Sequence, residues 1–276
     1  MPQIISTNVM SLMSQKNLDK SQNILKTALQ RLSSGARVNS VQDDAAGLAI
    51  SERFTTQIRG LDQNARNAAD GISLSQTAEG ALDEISRNLQ RIRQIAVQSA
   101  NSTNSANDRS SLNEEVIMLQ NEVVRVLDGT EFNGVKVLGV SATLIFQVGP
   151  NESPTTNQIR ISTSIIKNTS ALIAAMSANV LTVGGSLSAI ARFDSAIDEI
   201  VARRSEFGTA QNRFETVMRN TENINENLYA SRSRIVDADF ARETAELTRA
   251  QILQQAGTAM LAQANALPEN VLTLLQ

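Results

Sequence analysis

The 276-residue sequence contains no cysteine, no histidine and no tryptophan. Without cysteine the chain forms no disulfide and has no thiolate nucleophile, and without histidine it has no imidazole base. The same two absences remove the ligands on which zinc and haem sites depend. We therefore predict a protein that is not an enzyme, with no catalytic residue, no metal site and no cofactor.

Excess charge and long hydrophobic runs are also missing. The 28 acidic and 25 basic side chains give a net charge of -3, so the chain lacks the basic surface that nucleic acids or anionic membranes attract. No run approaches the roughly 20 apolar residues of a membrane-spanning helix. The opening residues lack the basic segment that precedes the apolar core of an ordinary signal peptide. Nucleic acid and membrane are therefore not expected partners.

Proline and aromatic residues are scarce. Proline occurs at four positions, 2, 150, 154 and 268, so two long stretches are free of the residue that most strongly interrupts helices. Aromatic residues make up 3% of the chain, which argues against an ordinary large globular core, because such residues dominate core burial. Both features favour unusually long helices.

Apolar residues recur at the three- and four-residue steps of helices that pack through a narrow stripe. One such series is Leu82, Ile85, Leu89, Ile92 and Ala96; a second is Leu112, Val116, Leu119, Val123 and Val126; a third is Phe193, Ile197, Ile200, Phe207, Phe214, Met218 and Leu228. They predict helices over 44–100, 107–128 and 189–232. The last would be roughly 65 Å long at about 1.5 Å per residue. The predicted fold is mainly α, an elongated hairpin-like rod of long antiparallel coiled-coil helices.

Two segments interrupt the helical pattern. Gly35 follows two serines and suits the left-handed cap that ends a helix. Over 130–165 apolar residues alternate with polar ones, and Asn133-Gly134 supplies a tight turn, so we predict a small antiparallel β-hairpin region. Residues 166–188 are small and polar-aliphatic and give no clear pattern.

Both ends of the chain are apolar and helical in period. Such segments must bury themselves against each other or against another molecule. The candidate assembly residues are Ile5, Val9, Leu12, Ile252, Leu253, Leu261, Leu267, Val271, Leu272, Leu274 and Leu275. Met13 and Met260 lie in the same two segments.

Several stretches resemble bacterial flagellins, in the same order along the chain. They are IISTNVMSLMSQKNL, ALQRLSSGARVNSVQDDAAGLAISERF, LQRIRQIAVQSANSTNS, FNGVKVL and SRSRIVDADFARETAELTRAQILQQAGTAMLAQANALPENVLTLLQ. The resemblance covers roughly 1–140 and 190–276 and implies a short form that lacks large central surface domains. It implies an inner-tube domain of paired terminal helices, 1–42 with 236–276, and an outer-tube domain over 43–235.

The resemblance also implies a function. The chain is expected to be a structural subunit that is exported by the flagellar type III system and polymerises into the extracellular filament used for swimming. The implied partners are further copies of itself, an export chaperone, and the filament cap and junction proteins. The alternative within the same helical family is a hook–filament junction protein.

The helix that carries QRIRQIAVQ has two interpretations. From its spacing alone, the residues between the apolar positions are the solvated face of a helix. The resemblance instead implies a surface for axial packing between subunits and for the flagellin-sensing Toll-like receptor of animal hosts. Carried over by motif, that surface comprises Gln90, Arg91, Ile95, Gln98 and Glu115.

Adjacent carboxylates at Asp43-Asp44 could suggest acid–base catalysis or a metal site. The sequel Ala-Ala-Gly-Leu favours a helix start, where carboxylates complement the helix dipole. Asp237-Ala238-Asp239 has the same two interpretations, a metal site or a helix cap. The resemblance implies that Gly35, Arg37, Asp43 and Asp44 belong to the connection between the inner and outer tubes.

Overall fold

A computed structural model describes residues 7–163 and 166–273, and over these residues the protein is mainly α-helical. The α-helices in the described chain are α1 (Val9–Ser34), α2 (Ala45–Ala100), α3 (Ala106–Gly129), α4 (Ser170–Met176), α5 (Val183–Val236) and α6 (Phe240–Thr273). The strands are β1 (Glu131–Phe132), β2 (Val135–Lys136), β3 (Ala142–Gln147) and β4 (Gln158–Thr163). The predicted fold class, long helices with a small β region, is confirmed.

The chain divides into two compact units. Unit 1 joins the residues up to Thr56 with those from Glu226 onward, and unit 2 comprises Gln57–Asn225. Unit 1 contains the terminal helices α1 and α6, which pair with each other. Unit 2 contains the β-strands, the helices α3 and α4, and the larger parts of α2 and α5.

The core of unit 2 is a continuous apolar cluster drawn from α2, α3, α5 and the segment around α4. The predicted α2 series lies in it without exception, fully buried at Leu82, Ile85, Leu89, Ile92 and Ala96. On α5, Phe193, Ile200 and Phe214 are fully buried as well. The apolar spacing therefore identified the buried face of α2. On α5 it identified four buried residues, whereas Ile197, Met218 and Leu228 are partly buried.

Helix α3 differs from the predicted series. Its buried residues are Arg109, Asn113, Val116, Gln120, Val123 and Leu127, whereas Leu112, Leu119 and Val126 are partly buried at the edge of the core. The polar members of the buried face bond to main-chain atoms, as described below. Hydrogen bonding of this kind makes the burial of polar side chains tolerable.

The β region consists of two antiparallel pairs. Asn133 and Gly134 join β1 to β2 with φ angles of 49° and 76°, the conformation of a two-residue hairpin turn in which both central residues have positive φ. Strands β3 and β4 pair over six residues each. Phe146 of β3 meets Phe214 of α5 edge to face, with ring centroids 5.2 Å apart, so the second pair is packed onto the helices of unit 2.

The segment that the sequence left unassigned is partly helical. A short 3-10 helix, Ile166–Asn168, and α4 precede α5. Helix α5 begins at Val183, six residues before the predicted start at residue 189, so that Gly184 and Gly185 lie in its first turn. The Gly185 N–H donates to Thr182 Oγ1 at 3.0 Å, and this side-chain cap explains why the helix starts before the glycines.

Candidate assembly surfaces

The helices α1 and α6 pair in antiparallel fashion in unit 1. Near the start of α1, Asn8 Nδ2 donates to the Ala264 carbonyl and Ser11 Oγ donates to Asn265 Oδ1, both at 2.8 Å. Near its end, Arg31 forms an ion pair with Glu243 at 3.1 Å. Among the residues of α1 and α6 that are described with their side chains, the buried positions are small or polar: Ser11, Ser21, Ala28, Glu243, Ala250 and Ala264. Small residues therefore form the centre of the contact, and hydrogen bonds contribute near its ends.

Several larger apolar residues of the same helices are exposed, whereas Leu18, Leu25, Leu32 and Leu247 are partly buried. Val9, Leu12, Ile252 and Leu253 keep 47–63% of their surface exposed, and Leu261 is half-buried. Leu267, Val271 and Leu272 lie in the last turns of α6, and Ile5, Leu274 and Leu275 lie outside the described residues. The predicted assembly residues that are described with their side chains thus share two helices, and four of these five keep 47% or more of their surface exposed. Exposed apolar surface of this extent is typical of an interaction site.

The segments that flank these helices pair through their main chains. Gly35 ends α1 with a φ of 68° and its N–H bonds to the Arg31 carbonyl, which confirms the predicted cap. Its own carbonyl accepts a bond from the Ala238 N–H at 2.9 Å. Arg37 donates from its N–H to the Val236 carbonyl at 2.6 Å and from Nη2 to the Ile235 carbonyl at 2.5 Å. The turn after α1 is therefore tied to the turn between α5 and α6.

The two carboxylate pairs order turns and helix starts. Asp44 Oδ1 accepts the Gly47 N–H at 2.8 Å at the start of α2, and Asp239 Oδ1 accepts the Ala241 N–H at 2.9 Å at the start of α6. Both helix-start interpretations are confirmed. In the described part of the chain, no three or more acidic side chains are grouped so that they could hold a metal ion.

Asp43 organises the turn that precedes α2. Its Oδ2 accepts the Ser40 N–H and the Ser40 hydroxyl, both at 2.9 Å, and the Asn39 N–H at 3.2 Å. The Ser40 bonds, followed by the Asn39 bond and the nearby Arg31 charge, hold the pKa of Asp43 below its ordinary value. Each of these interactions favours the carboxylate over the neutral acid.

Arg91 and Glu115 form the centre of the second predicted surface, in unit 2. Arg91 Nη2 and Nε bond to Glu115 Oε1 at 2.8 and 3.1 Å, and Nη1 bonds to Gln94 Oε1. Gln90 and Gln98 on α2 are exposed. The structure thus brings Arg91 and Glu115 together at the surface, from two neighbouring helices.

Ile95 does not belong to that surface. Its side chain is 1% exposed and lies in the core of unit 2. Helix α2 contacts both α3, through Arg91–Glu115, and α5, through the Arg93–Asp194 ion pair. A helix with two neighbours buries a wider stripe than the narrow seam of a helix pair, so positions 92, 95 and 96 are all interior. The prediction that Ile95 is a surface contact is wrong.

Sequence reasoning also missed three polar residues of α3. Arg109 donates to the carbonyls of Ser99, Asn101 and Asn104, and Asn113 Oδ1 accepts the Val180 N–H at 3.0 Å. Gln120 Nε2 donates to the Ala175 and Ala178 carbonyls at 3.0 Å. These side chains hold the α2–α3 turn and the irregular segment before α5. The sequence did contain one indication of their burial. They are spaced four and seven residues apart, which places them on the same face of α3 as Val116 and Val123.

Two family models match the chain. The bacterial flagellin N-terminal helical region matches residues 5–143, and the bacterial flagellin C-terminal helical region matches residues 190–275. A flagellin of Halalkalibacterium halodurans is 45% identical over 275 residues, which cover 99% of this chain and 100% of that protein. The two proteins therefore share a short central region.

Solved structures agree with this assignment. The crystal structure of Bacillus cereus flagellin superposes with a TM-score of 0.50 at 28% identity, covering 56% of this chain and 88% of that one. A putative flagellar hook-associated protein from Vibrio parahaemolyticus gives a TM-score of 0.62 over 71% of this chain and 100% of that one, but at 12% identity. This second likeness shows the fold alone, so the junction-protein alternative has less support.

Within the described residues, no helix combines the length and apolarity needed to cross a bilayer. The family models, the identity to a flagellin over the full chain and the Bacillus cereus structure agree with one another. The chain therefore belongs to the bacterial flagellin family: it is not an enzyme but a structural subunit that assembles with further copies of itself into the extracellular flagellar filament.

Proposed function

We propose that the exposed apolar residues of α1 and α6 are the surface through which copies of this chain pack in the filament. One observation carries this proposal: the pairing of α1 with α6 leaves Val9, Leu12, Ile252 and Leu253 largely exposed. In this assignment residues 1–42 with 236–276 form the inner-tube domain and 43–235 the outer-tube domain. Burial of this surface against neighbours supplies the free energy of assembly.

Replacing Ile252 with lysine tests the terminal surface. Burying an unpaired ammonium between subunits is costly, so the critical concentration for polymerisation should rise on the order of a hundredfold. The matched control is Val201→Lys, because Val201 of α5 is 52% exposed and lies in unit 2. Sedimentation of filaments measures the critical concentration of each variant. Equal polymerisation of the Ile252 variant and the unchanged chain would refute the proposed surface.

The segment that contains Gly35, Arg37, Asp43 and Asp44 is proposed as the connection between the inner and outer tubes. Its support is local: main-chain pairing ties Gly35 and Arg37 to residues 235–238, and Asp43 and Asp44 order the turn and the helix start that follow. These hydrogen bonds satisfy backbone groups of the segment and fix its local conformation.

The surface formed by Gln90, Arg91, Gln98 and Glu115 is proposed for axial packing between subunits and for recognition by the host Toll-like receptor for flagellin. Its support is the exposed, bonded pair of Arg91 and Glu115, since guanidinium groups are enriched among the residues that dominate binding. Arg91→Ala should lower receptor activation by the monomer about tenfold or more. Arg87→Ala is the control, because Arg87 is also exposed on α2 but pairs with Asp83. Equal activation by both variants would refute this assignment.

The further proposed partners are an export chaperone, which binds before export by the flagellar type III system, and the filament cap and junction proteins, which the chain meets after export. The support for a chaperone is the exposed apolar face of α6, which would associate prematurely if it were left uncovered. Ile252→Lys should also weaken binding of a flagellar export chaperone to the full chain, whereas Val201→Lys should not. Calorimetric titration measures this, and equal affinity of both variants would argue against α6 as the bound segment.

A further inference from the structure

Methionine is the main target that this chain offers to two-electron oxidants. The sequence has seven methionines, one tyrosine and no cysteine, histidine or tryptophan. Methionine thioethers convert to sulfoxides, which turns a flexible apolar side chain into a polar one and disrupts interfaces rich in methionine. Where the methionines lie therefore decides which property of the protein an oxidant changes.

The described methionines fall into two classes. Met10, Met13 and Met260 are 60–63% exposed, and Met118 on α3 is 70% exposed. Met176 and Met218 are partly buried against the core of unit 2. Because oxidation follows exposure, the first four should react first.

The three exposed methionines of unit 1 lie along the same stretch of the α1–α6 pair. The bonds from Asn8 and Ser11 place the first turn of α1 beside residues 264–265. Further along, Leu18 packs close to Gly257, where a Cβ built on the glycine would stand 3.3 Å from Leu18 Cδ1. Residues 10 and 13 on α1, and 260 on α6, all fall between these two anchor points.

We propose that Met10, Met13 and Met260 form an oxidation site that controls assembly of the chain, an inference that rests on the proposed terminal assembly surface. Hydrogen peroxide transfers one oxygen to the thioether sulfur: the O–O bond breaks, an S–O bond forms, and water leaves. The sulfur loses two electrons and the peroxide gains them. Oxidation of the unassembled chain places polar sulfoxides on the surface that must be buried between copies.

The physical consequence follows from desolvation. A sulfoxide oxygen accepts hydrogen bonds from water, and removing it to an apolar interface without a donor is unfavourable. We expect the critical concentration of the oxidised chain to rise roughly tenfold or more. Met118 belongs to unit 2 and lies outside the terminal helices. It is one helical turn from Glu115 of the proposed axial-packing surface, so we expect its oxidation to raise the critical concentration less than oxidation of the three terminal methionines does. Methionine sulfoxide reductases should restore assembly, since they reverse this modification.

Two complementary triple variants of the full chain test the site. The first carries Met10→Leu, Met13→Leu and Met260→Leu, and the second carries Met118→Leu, Met176→Leu and Met218→Leu. Leucine and methionine have similar volumes, so both variants should fold. The critical concentration of each variant before treatment is its own reference. Each is treated with hydrogen peroxide as monomer. Mass spectrometry of peptides locates the sulfoxides, sedimentation gives the critical concentration, and circular dichroism confirms an unchanged helix content.

Peroxide should raise the critical concentration of the unchanged chain and of the second variant by the same factor, and that of the first variant by a clearly smaller factor. Two results overturn the inference. One is an unchanged critical concentration when Met10, Met13 and Met260 are all oxidised, and the other is an equal rise in the first variant, which retains the other four methionines. Failure of a reductase to restore assembly would also overturn it. Failure of the terminal surface itself would appear separately, as normal polymerisation of Ile252→Lys without any oxidant.

Discussion

Gly71 of α2 lies directly against the ring of Phe214 of α5. A Cβ built on Gly71 would stand 2.5 Å from the Phe214 Cζ atom, closer than any real contact of that kind. The same ring meets Phe146 of β3. Because Gly71 has no side chain, α2 and α5 approach closely enough for one aromatic ring to contact both a helix and a strand.

Gly71→Ala should therefore destabilise unit 2 by about 1–3 kcal/mol, the usual effect of overpacking a core. Gly80→Ala is the matched control, because Gly80 is also inside α2 but no atom lies within 4 Å of a Cβ placed on it. That change should stabilise the helix by about 0.5–1 kcal/mol. Thermal unfolding of both variants measures the effects. A stabilising Gly71→Ala would show that the helices do not approach in this way.

The second prediction concerns Ile95, which the structure places in the core. Ile95→Ala should cost about 2–5 kcal/mol of unfolding free energy, because it leaves a cavity. Val97→Ala, at a residue 49% exposed on the same helix, should cost less than about 0.5 kcal/mol. Denaturant unfolding at matched protein concentrations compares the unfolding free energies of the two variants. Equal stability of the two variants, together with loss of receptor activation in Ile95→Ala alone, would show that Ile95 is a surface residue.

The third prediction tests the polar face of α3. Asn113→Leu removes the acceptor of the Val180 N–H, and a buried donor without a partner costs about 1–3 kcal/mol. We expect faster hydrogen exchange at Val180 and at neighbouring amides before α5, together with a lower unfolding temperature. Asn121→Leu, the same substitution at an exposed position of α3, should change neither. Unaltered exchange at Val180 in the Asn113 variant would contradict the anchoring role.

The fourth prediction follows from the lowered pKa of Asp43. A carboxyl whose pKa in the folded chain lies below its unfolded value, about 3.9, stabilises the fold above that value. The contribution disappears as the pH falls through the lower, folded-state pKa. At neutral pH the unchanged chain should therefore be more stable than Asp43→Asn. The two should converge in strong acid, and a difference independent of pH would show that the carboxylate charge is not involved.

The fifth prediction concerns coupling between folding and assembly. The α1–α6 pair buries small residues such as Ala28 and Ala250, and two helices that bury little apolar surface barely offset their ordering entropy. In the monomer, amides of Ile252–Ala266 should exchange near the unfolded rate, and in the filament they should be strongly protected. Amides of Leu82–Ala96 in the core of unit 2 provide the internal control, protected in both states. Equal protection of α6 in monomer and filament would contradict coupled folding.

The sequence by itself determined the local features of this protein. The heptad series on α2, the left-handed glycine after α1 and the Asn133-Gly134 turn each depend on residues close together in the chain, and each is present as predicted. Periodicity, positive φ and helix capping act over a few residues, so they can be recognised without knowing what packs nearby. The exposed apolar termini were recognisable for the same reason.

Only the tertiary structure decided how many neighbours each helix has. Ile95 is buried because α2 contacts α3 on one side and α5 on the other, and a one-dimensional pattern does not specify that number. Asn113 and Gln120 are buried because main-chain groups from residues distant in sequence satisfy them, and Arg109 is buried because carbonyls around the turn before α3 do. Helix formation follows largely from local sequence, so the helices, caps and turns could be predicted. Burial of a side chain depends on how the helices pack together, so it could not be fully predicted from the sequence.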